Sequence, residues 1–453
     1  MKLTVAQWLV AGGDQRIVPD PETGRNQYGC TVQPDADLIA LGSSTASVIS
    51  AGAWDEVSQL ENHSSDEYAW NDMRQQLRDF VGVADDVDVV FAASGTDAHH
   101  IVAQYVQMVT PQALATIMVA PEETGSGVAA ALAQDGRLLT TIALREQDGH
   151  SRNSALIDAD VEVAALAAIA QQQHVLINLI DVSKTGMIAP DPACVAGLRA
   201  RYPAQITVVV DASQFRLSPA TLQHYLQQNY VVVITGSKFI TGPCFSGAIL
   251  IPQPITQHWR QYPVPASLQA ASYPLDWPRG FDVSALKQPS SNHGLYLRWR
   301  AALYEMRVFH QLDSRDVQQF LGEFSAAIHS KLDAHSTFEL LPVPGLQRTR
   351  QAWDSEPSIF SFVLYRDQQP LTQSQTLAIY QQLSAISSSV QRFQLGQPVP
   401  CGVRAGIPVS ALRISASARL LVAALAPNGV GRATVIAWAM LALDRIVSLV
   451  NNS

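Results

Sequence analysis

A lysine set among glycines and hydroxyl residues is a candidate reactive group in the sequence. Lys238 lies in residues 235–243, Thr-Gly-Ser-Lys-Phe-Ile-Thr-Gly-Pro, directly after an apolar run. Burial lowers the pKa of an amine toward neutrality, which makes the amine a nucleophile that forms imines with carbonyl compounds. Taken alone, the segment also fits an ordinary lysine at the end of a loop.

A carboxylate follows another apolar run. Asp211 stands directly after residues 206–210, at the predicted end of a buried strand. A buried carboxylate is costly unless it meets a positive partner, and a protonated pyridine nitrogen is such a partner. By itself, Asp211 would equally fit the cap of a helix.

A third segment favours a phosphate. Residues 93–98, Ala-Ser-Gly-Thr-Asp-Ala, open a predicted helix. Gly95 permits close approach of the backbone, Thr96 supplies a hydroxyl, and the free N–H groups of a helix N-terminus attract anions. Alone, this is an ordinary N-cap turn. The order phosphate loop, acid and lysine, each after its own apolar run, is far more specific than any single segment.

The elements around these segments predict an α/β fold. Helical patterns such as residues 98–109 and 161–173 lie between apolar runs that lack polar alternation, as strands buried on both faces do. We expect a mostly parallel, seven-stranded sheet with helices on both faces, and ligands bound beyond the carboxyl ends of its strands. The predicted strands are residues 87–93, 115–120, 138–144, 175–180, 206–210, 231–235 and 247–252.

The length of 453 residues exceeds what one hydrophobic core supports. We predict an N-terminal segment (1–80), a large domain (81–310) and a smaller α+β domain (311–453). The last of these carries helical patterns at residues 317–331, at 372–384 and at its end.

Composition argues against several classes of partner. The net charge of −9, without a basic run, predicts no nucleic-acid binding. Residues 1–14 lack the pattern of a secretory signal. The apolar residues 433–450 are interrupted by Asp444 and Arg445, which favours a packed amphipathic helix over a membrane span. The four scattered cysteines predict neither a metal site nor a disulfide framework. They favour a cytoplasmic location, where thiols stay reduced.

The three chemical segments together resemble the fold-type-I pyridoxal 5'-phosphate (PLP) enzymes. Within these enzymes, the chain is most similar to the class V group of cysteine desulfurases, kynureninases and some aminotransferases, from about residue 38 to residue 425. The resemblance implies the aspartate-aminotransferase-like fold, PLP as cofactor and Lys238 as the Schiff-base lysine, with Asp211 facing the pyridine nitrogen. It also implies a homodimer with shared active sites.

The resemblance assigns further residues to the cofactor. The phosphate contacts that it implies are Ser94, Gly95, Thr96, Thr235 and Ser237, with Ser291 and Asn292 reaching a phosphate across the dimer interface. Gln214 would reach the phenolic oxygen of PLP or the Schiff base, and either Asn178 or Ser183 would reach the phenolic oxygen.

On the substrate side, Arg413 resembles the arginine that binds the α-carboxylate, because a guanidinium grips a carboxylate with two hydrogen bonds. Ser44 and Thr45 fall in the segment that borders the substrate pocket. The family's ring-stacking aromatic residue or histidine is missing here, and Glu123 or Thr124 stands in its place. His99 and His100 follow the phosphate loop, and we expect them to serve packing or capping.

The predicted function is therefore a PLP-dependent enzyme that acts on an amino acid through Lys238, with an aminotransferase favoured. Cys401 lies near the place of the desulfurase nucleophile, but no cysteine stands at the corresponding position. A PLP-dependent lyase is the first alternative, and a non-catalytic binding or regulatory protein of the same fold is the second. A nucleotide-dependent oxidoreductase would need G-x-G-x-x-G, which residues 94–96 do not supply.

Overall fold

The computed structural model describes residues 3–60, 65–286, 291–346, 348, 352–385 and 391–452. Its strands are β1 Leu38–Ala40, β2 Asp88–Ala92, β3 Leu114–Val119, β4 Leu138–Ile142, β5 His174–Asp181, β6 Ile188–Ala189, β7 Ile206–Ala212, β8 Val231–Thr235, β9 Gly247–Ile251, β10 Phe338–Leu341, β11 Ile359–Arg366, β12 Gln369–Pro370, β13 Arg392–Gln394, β14 Gly396–Arg404 and β15 Ile407–Ser415.

The α-helices of the described residues alternate with these strands. They are α1 Val5–Leu9, α2 Ala51–Gln59, α3 Glu67–Val81, α4 Gly95–Val109, α5 Val128–Ala133, α6 Ser154–Ala170, α7 Pro192–Arg201, α8 Pro219–Gln227, α9 Gln253–Trp259, α10 His293–His310, α11 Ser314–Asp333, α12 Gln373–Ser384, α13 Ala418–Leu425 and α14 Arg432–Asn452.

The main sheet has the strand order β2-β9-β8-β7-β5-β3-β4, with the two-residue strand β6 paired to β5. Strand β9 is antiparallel to β2 and β8, and the other neighbours along this path are parallel. All seven predicted strands are present, so the prediction of a mostly parallel α/β sheet is confirmed. Since β2, β7 and β8 run in the same direction, the segments that follow them meet at one edge of the sheet.

Side chains on successive residues of the central strands enter two different hydrophobic layers. In β2, Val89 and Phe91 belong to the larger layer, which includes Trp299 of α10, while Val90 and Ala92 belong to the layer that includes Tyr105 of α4. All five residues of β2 are buried. Burial on both faces is the physical reason that these strands are predominantly apolar.

A second sheet has the order β10-β11-β15-β14, with β12 paired to β11. All these pairs are antiparallel, and helices α11, α12 and α14 pack nearby. Separately, β1 pairs in parallel with β13, which joins the N-terminal part of the chain to its C-terminal part. This pairing brings the segment after β1 close to the loop between β13 and β14.

Judged by length and composition only, helix α14 could cross a membrane. It packs against α11, α12 and α13, with Val435, Ala439, Leu443 and Ile446 among its buried residues. A stripe of buried residues at this spacing is typical of a helix on the core of a lobe.

Candidate active site

A cavity of about 190 Å³ lies at the carboxyl ends of β2, β7 and β8. The residues directly after these three strands form one side of it. The N-terminal segments and the second sheet form the other side. The residues that line the cavity include Arg16, Tyr28, Ser44, Thr45, Ser94, Gly95, Thr96, Lys184, Ser213, Thr235, Ser237, Lys238, Cys244, Phe245, Gln397 and Arg413.

The first turn of α4 forms an anion cradle in this wall. Ser94 caps the helix, and its hydroxyl accepts from the Asp97 N–H at 3.2 Å and donates to the Asp97 carboxylate at 2.6 Å. A Cβ at Gly95 would lie 3.1 Å from Oγ of Ser213 and 3.3 Å from Cγ2 of Thr235. The absent side chain, the helix N-terminus and the nearby hydroxyls suit a phosphate group.

Asp211 lies in β7, buried beside the cavity. Its Oδ2 accepts from the Thr124 hydroxyl at 2.7 Å, and its Oδ1 accepts from the Ser213 N–H at 3.1 Å. Burial would raise the pKa of Asp211, but the neighbouring His99 and the amine of Lys238 hold that pKa below its usual value. The carboxylate therefore stays ionised and is suited to hold a cation such as a protonated pyridine.

Lys238 follows β8 in a tight loop that packs on α10. The Gly236 N–H donates to the Ser246 carbonyl at 2.8 Å, and a Cβ at Gly236 would lie 2.6 Å from Cβ of Ala302. Within the described part of the chain, the Lys238 amine has no hydrogen bond or ion pair at bonding distance. Burial lowers its pKa, Asp211 opposes this, and Arg413 adds to the lowering. The amine is therefore poised as a nucleophile or base.

Arg413 of β15 is buried on the opposite wall. Its guanidinium donates to Oγ1 of Thr45 at 2.9 Å, to the carbonyl of Gln397 at 2.5 Å and to the carbonyl of Lys184 at 3.1 Å. These acceptors are neutral, and burial lowers the pKa of Arg413 only to about 10, so its charge is retained. A bound carboxylate would supply the negative charge that the neutral partners of Arg413 lack.

Most residues assigned from the sequence surround this one cavity. Ser94, Gly95, Thr96, Thr235, Ser237, Lys238, Ser44, Thr45 and Arg413 line it, and Asp211 lies directly behind it. Gln214 lies behind the wall, where its side-chain amide donates to the Ser44 carbonyl at 2.9 Å. Asn178 is buried in β5.

Ser183 and the pair Ser291 and Asn292 do not line this cavity. The Ser183 hydroxyl donates to Glu123 at 2.7 Å, and the next residue along the chain faces the cavity instead. Ser291 lies 3.0 Å from the Ser65 hydroxyl, and Asn292 caps α10 and donates to the Gly12 carbonyl. A contact from these two residues to a partner's phosphate stays a prediction.

The side on which the family carries a ring has a different construction here. The Thr124 hydroxyl is directed to Asp211, and the buried Glu123 accepts from Arg145 at 2.7 Å and from the Thr185 hydroxyl at 2.6 Å. The aromatic rings that do line the cavity belong to Tyr28 and Phe245.

Several lining residues carried no signal in the sequence. Arg16 and Tyr28 come from the irregular N-terminal segment, and the Arg16 guanidinium lies 5.0 Å from the centre of the Phe245 ring. Lys184 and Cys244 are placed by contacts distant in sequence. The only sequence signal near Cys244 and Phe245 is the hydroxyl-rich and glycine-rich segment around Lys238.

The fold has the architecture of the fold-type-I PLP-dependent transferases. Neither a family model nor a curated protein matches the sequence. Solved structures do match: a NifS-like protein has a TM-score of 0.57 and 13% identity, over 90% of this chain and 99% of its own. The cysteine desulfurase CsdA of Escherichia coli has a TM-score of 0.55 and 15% identity, over 90% and 94%.

A cysteine desulfurase from Thermococcus onnurineus NA1, in its apo form, has a TM-score of 0.56 and 11% identity, over 90% of this chain and 94% of its own. The predicted resemblance to the class V group is thus confirmed at the level of the fold. At these identities the likeness concerns the fold alone.

Proposed function

We propose that this chain is a PLP-dependent enzyme that acts on an amino-acid substrate through Lys238. One observation carries the proposal: the unpaired amine of Lys238 and the N-terminus of α4 line a single cavity, and the ionised carboxylate of Asp211 lies directly behind its wall. The cysteine desulfurases among the structural neighbours support the same class of chemistry.

The phosphate, the pyridine nitrogen and the aldehyde of PLP each have a matching group at the cavity. The hydroxyls of Thr96, Ser213 and Ser237 and the first turn of α4 would hold the phosphate. Asp211 would hold the pyridine nitrogen. Bound there, PLP would supply an aldehyde for the Lys238 amine and a protonated ring that withdraws electrons from the substrate Cα.

The chain's own residues would then bind the substrate and move one proton. Arg413 binds the α-carboxylate through its buried, charged guanidinium and so orients the Cα. Nζ of Lys238, with its pKa lowered by burial, accepts the proton that leaves the Cα and can return it. Asp211 keeps its negative charge throughout, because its pKa is held low.

The favoured reaction is amino transfer, in which the substrate leaves as a 2-oxo acid and a second oxo acid takes its amino group. In support, the thiol of Cys401 is buried in β14, away from the cavity, so the desulfurase reaction has no nucleophile from that part of the chain. The test is to incubate the PLP-loaded protein with an amino-acid panel and an oxo-acid acceptor, and to measure new amino acid and exchange of the Cα hydrogen with deuterium.

Both readouts should be lost in Lys238→Ala. Exchange of the Cα hydrogen without amino transfer would contradict amino transfer and indicate another reaction of the same cofactor. The absence of both, in protein that carries PLP on Lys238, would contradict catalysis and favour a binding or regulatory role.

One observation favours a lyase-type desulfurase as the second candidate. Cys244 lines the cavity, and the Cys30 thiol lowers its pKa. As a thiolate, Cys244 could attack the sulfur of a cysteine substrate, so that the carbon–sulfur bond breaks, a persulfide forms on Cys244 and alanine leaves. Alanine formation from cysteine that disappears in Cys244→Ser, while amino transfer is absent, would establish this candidate in place of the first.

A further inference from the structure

The cavity wall holds a cation that the proposed reaction does not use. Lys184 lies in the turn between β5 and β6, half-buried, and its side chain borders the cavity. The turn is firmly held: the Lys184 N–H donates to the Glu123 carbonyl at 2.8 Å, and the Ser183 N–H donates to the Met187 carbonyl at 2.7 Å. The Glu123 carboxylate also binds the hydroxyls on both sides of Lys184.

The charged side chains that line the cavity are all cationic. Among the described residues they are Arg16, Lys184, Lys238 and Arg413, and the lining includes no carboxylate. Arg16 is neutralised by Asp14 at 2.6 Å. The amine of Lys184, in contrast, has no ion pair to a carboxylate of the described chain.

Lys184 and Arg413 are close neighbours. The Arg413 guanidinium donates to the carbonyl of Lys184 itself, at 3.1 Å. Burial, followed by the charges of Arg413 and Lys238, lowers the pKa of Lys184 to about 8 against the opposite effect of Glu123 and Glu122, so that most Lys184 amines remain charged at pH 7. Two neighbouring, partly desolvated cations repel each other, and the arrival of anions on both relieves that repulsion.

We propose that Lys184 binds a second anionic group, carried by the side chain of the substrate. This inference rests on the proposed function, in which Arg413 takes the α-carboxylate. The substrate class is therefore amino acids with an acidic side chain, such as aspartate and glutamate, and Lys184 is the residue that determines this specificity.

The first test compares acidic amino acids with their amides, which have nearly the same shape. In the PLP-loaded wild type, kcat/KM for aspartate or glutamate should exceed that for asparagine or glutamine. Lys184→Met should lower kcat/KM for the acidic substrate about 10- to 100-fold, the size of one charge-assisted contact, and change that for the amide less than about 3-fold. Lys184→Arg should keep the preference.

Lys331→Met is the matched control, since Lys331 pairs with Asp444 on the outer helices α11 and α14. It should leave both substrates unchanged. A wild type without preference for the acid, or a Lys184→Met protein that loses acid and amide equally, would overturn the inference. The second result would indicate a contact with the cofactor or a structural role.

A second measurement is independent of turnover. Calorimetric titration with glutarate, an inert dicarboxylate, should give tighter binding to the wild type than to Lys184→Met, and butyrate should bind both proteins alike. If glutarate binding depends on Lys184 but no amino acid reacts, the proposed function fails and the charge assignment stands. If amino acids react but neither the acid-to-amide ratio nor glutarate binding depends on Lys184, the inference fails and the function stands.

Discussion

The imidazole Nε2 of His99 lies 3.4 Å from Oδ2 of Asp211, and both side chains are buried. The Thr124 hydroxyl donates to the same oxygen at 2.7 Å. His99 therefore does more than pack in the first turns of α4, the role expected from the sequence. Together with Thr124, it keeps the Asp211 carboxylate in place and in its ionised form.

Replacing Asp211 by Asn removes the charge and keeps the shape. Because a neutral amide cannot hold a pyridine ring protonated, we expect Asp211→Asn to lower kcat at least about 100-fold. Steady-state kinetics check the loss, and circular dichroism checks that the fold persists. Activity within a few-fold of wild type would contradict the role given to Asp211.

A side chain at Gly95 should disturb the phosphate cradle. The added Cβ of Gly95→Ala would lie 3.1 Å from Oγ of Ser213, so this hydroxyl must shift. We expect PLP to bind about 10-fold more weakly, measured by absorbance titration of the apoprotein. Gly197→Ala is the control, because a Cβ there meets nothing within 4 Å. Equal PLP affinities of the two variants would place the phosphate elsewhere.

Replacing Arg413 should weaken the binding of the substrate's α-carboxylate. In Arg413→Lys, one ammonium replaces a planar group that makes two parallel hydrogen bonds, so we expect KM for amino acids to rise about 10- to 100-fold. An amine without a carboxylate should bind wild type and variant alike. If KM is unchanged, the carboxylate is bound by another residue.

The buried Asp276 predicts a pH dependence of stability. Burial raises its pKa to about 8, although the Tyr273 N–H donates to it at 2.8 Å. In the unfolded chain the carboxyl ionises near its ordinary value of 3.8, so the unfolded state releases the proton first. The wild type should therefore lose stability as pH rises from about 4 to about 8, which favours the unfolded state.

Asp276→Asn cannot release this proton. The melting temperature of the variant, relative to wild type, should rise by about 2 °C or more between pH 5 and pH 8. Asp85→Asn, at a largely exposed aspartate, serves as the comparison. A difference that stays constant with pH would show that Asp276 is ionised in the folded protein.

The sequence was most informative at the ends of the strands. Asp211 lies at the penultimate position of β7 rather than after it, while Ser94 and Lys238 follow β2 and β8. These strands are predominantly apolar because both faces are buried, and strands that run in the same direction bring their ends together. Their order alone therefore predicted a shared site.

Residues in turns and irregular segments could not be assigned in the same way. Ser183 and Lys184 are adjacent, and which of them faces the cavity depends on Glu123, which is 60 residues away. Arg16 and Tyr28 reach the cavity through an N-terminal segment whose sequence has no helical or strand periodicity. Long-range contacts of this kind leave no local pattern in one sequence.

The most direct test of the proposed site is chemical trapping on Lys238. The purified protein is loaded with PLP, reduced with borohydride and digested with trypsin. We expect the label on a peptide of residues 217–260, because a modified Lys238 blocks the cleavage between Arg216 and Arg260. A label on Lys184 or on another lysine, or no uptake of PLP at all, would contradict the assignment of the site.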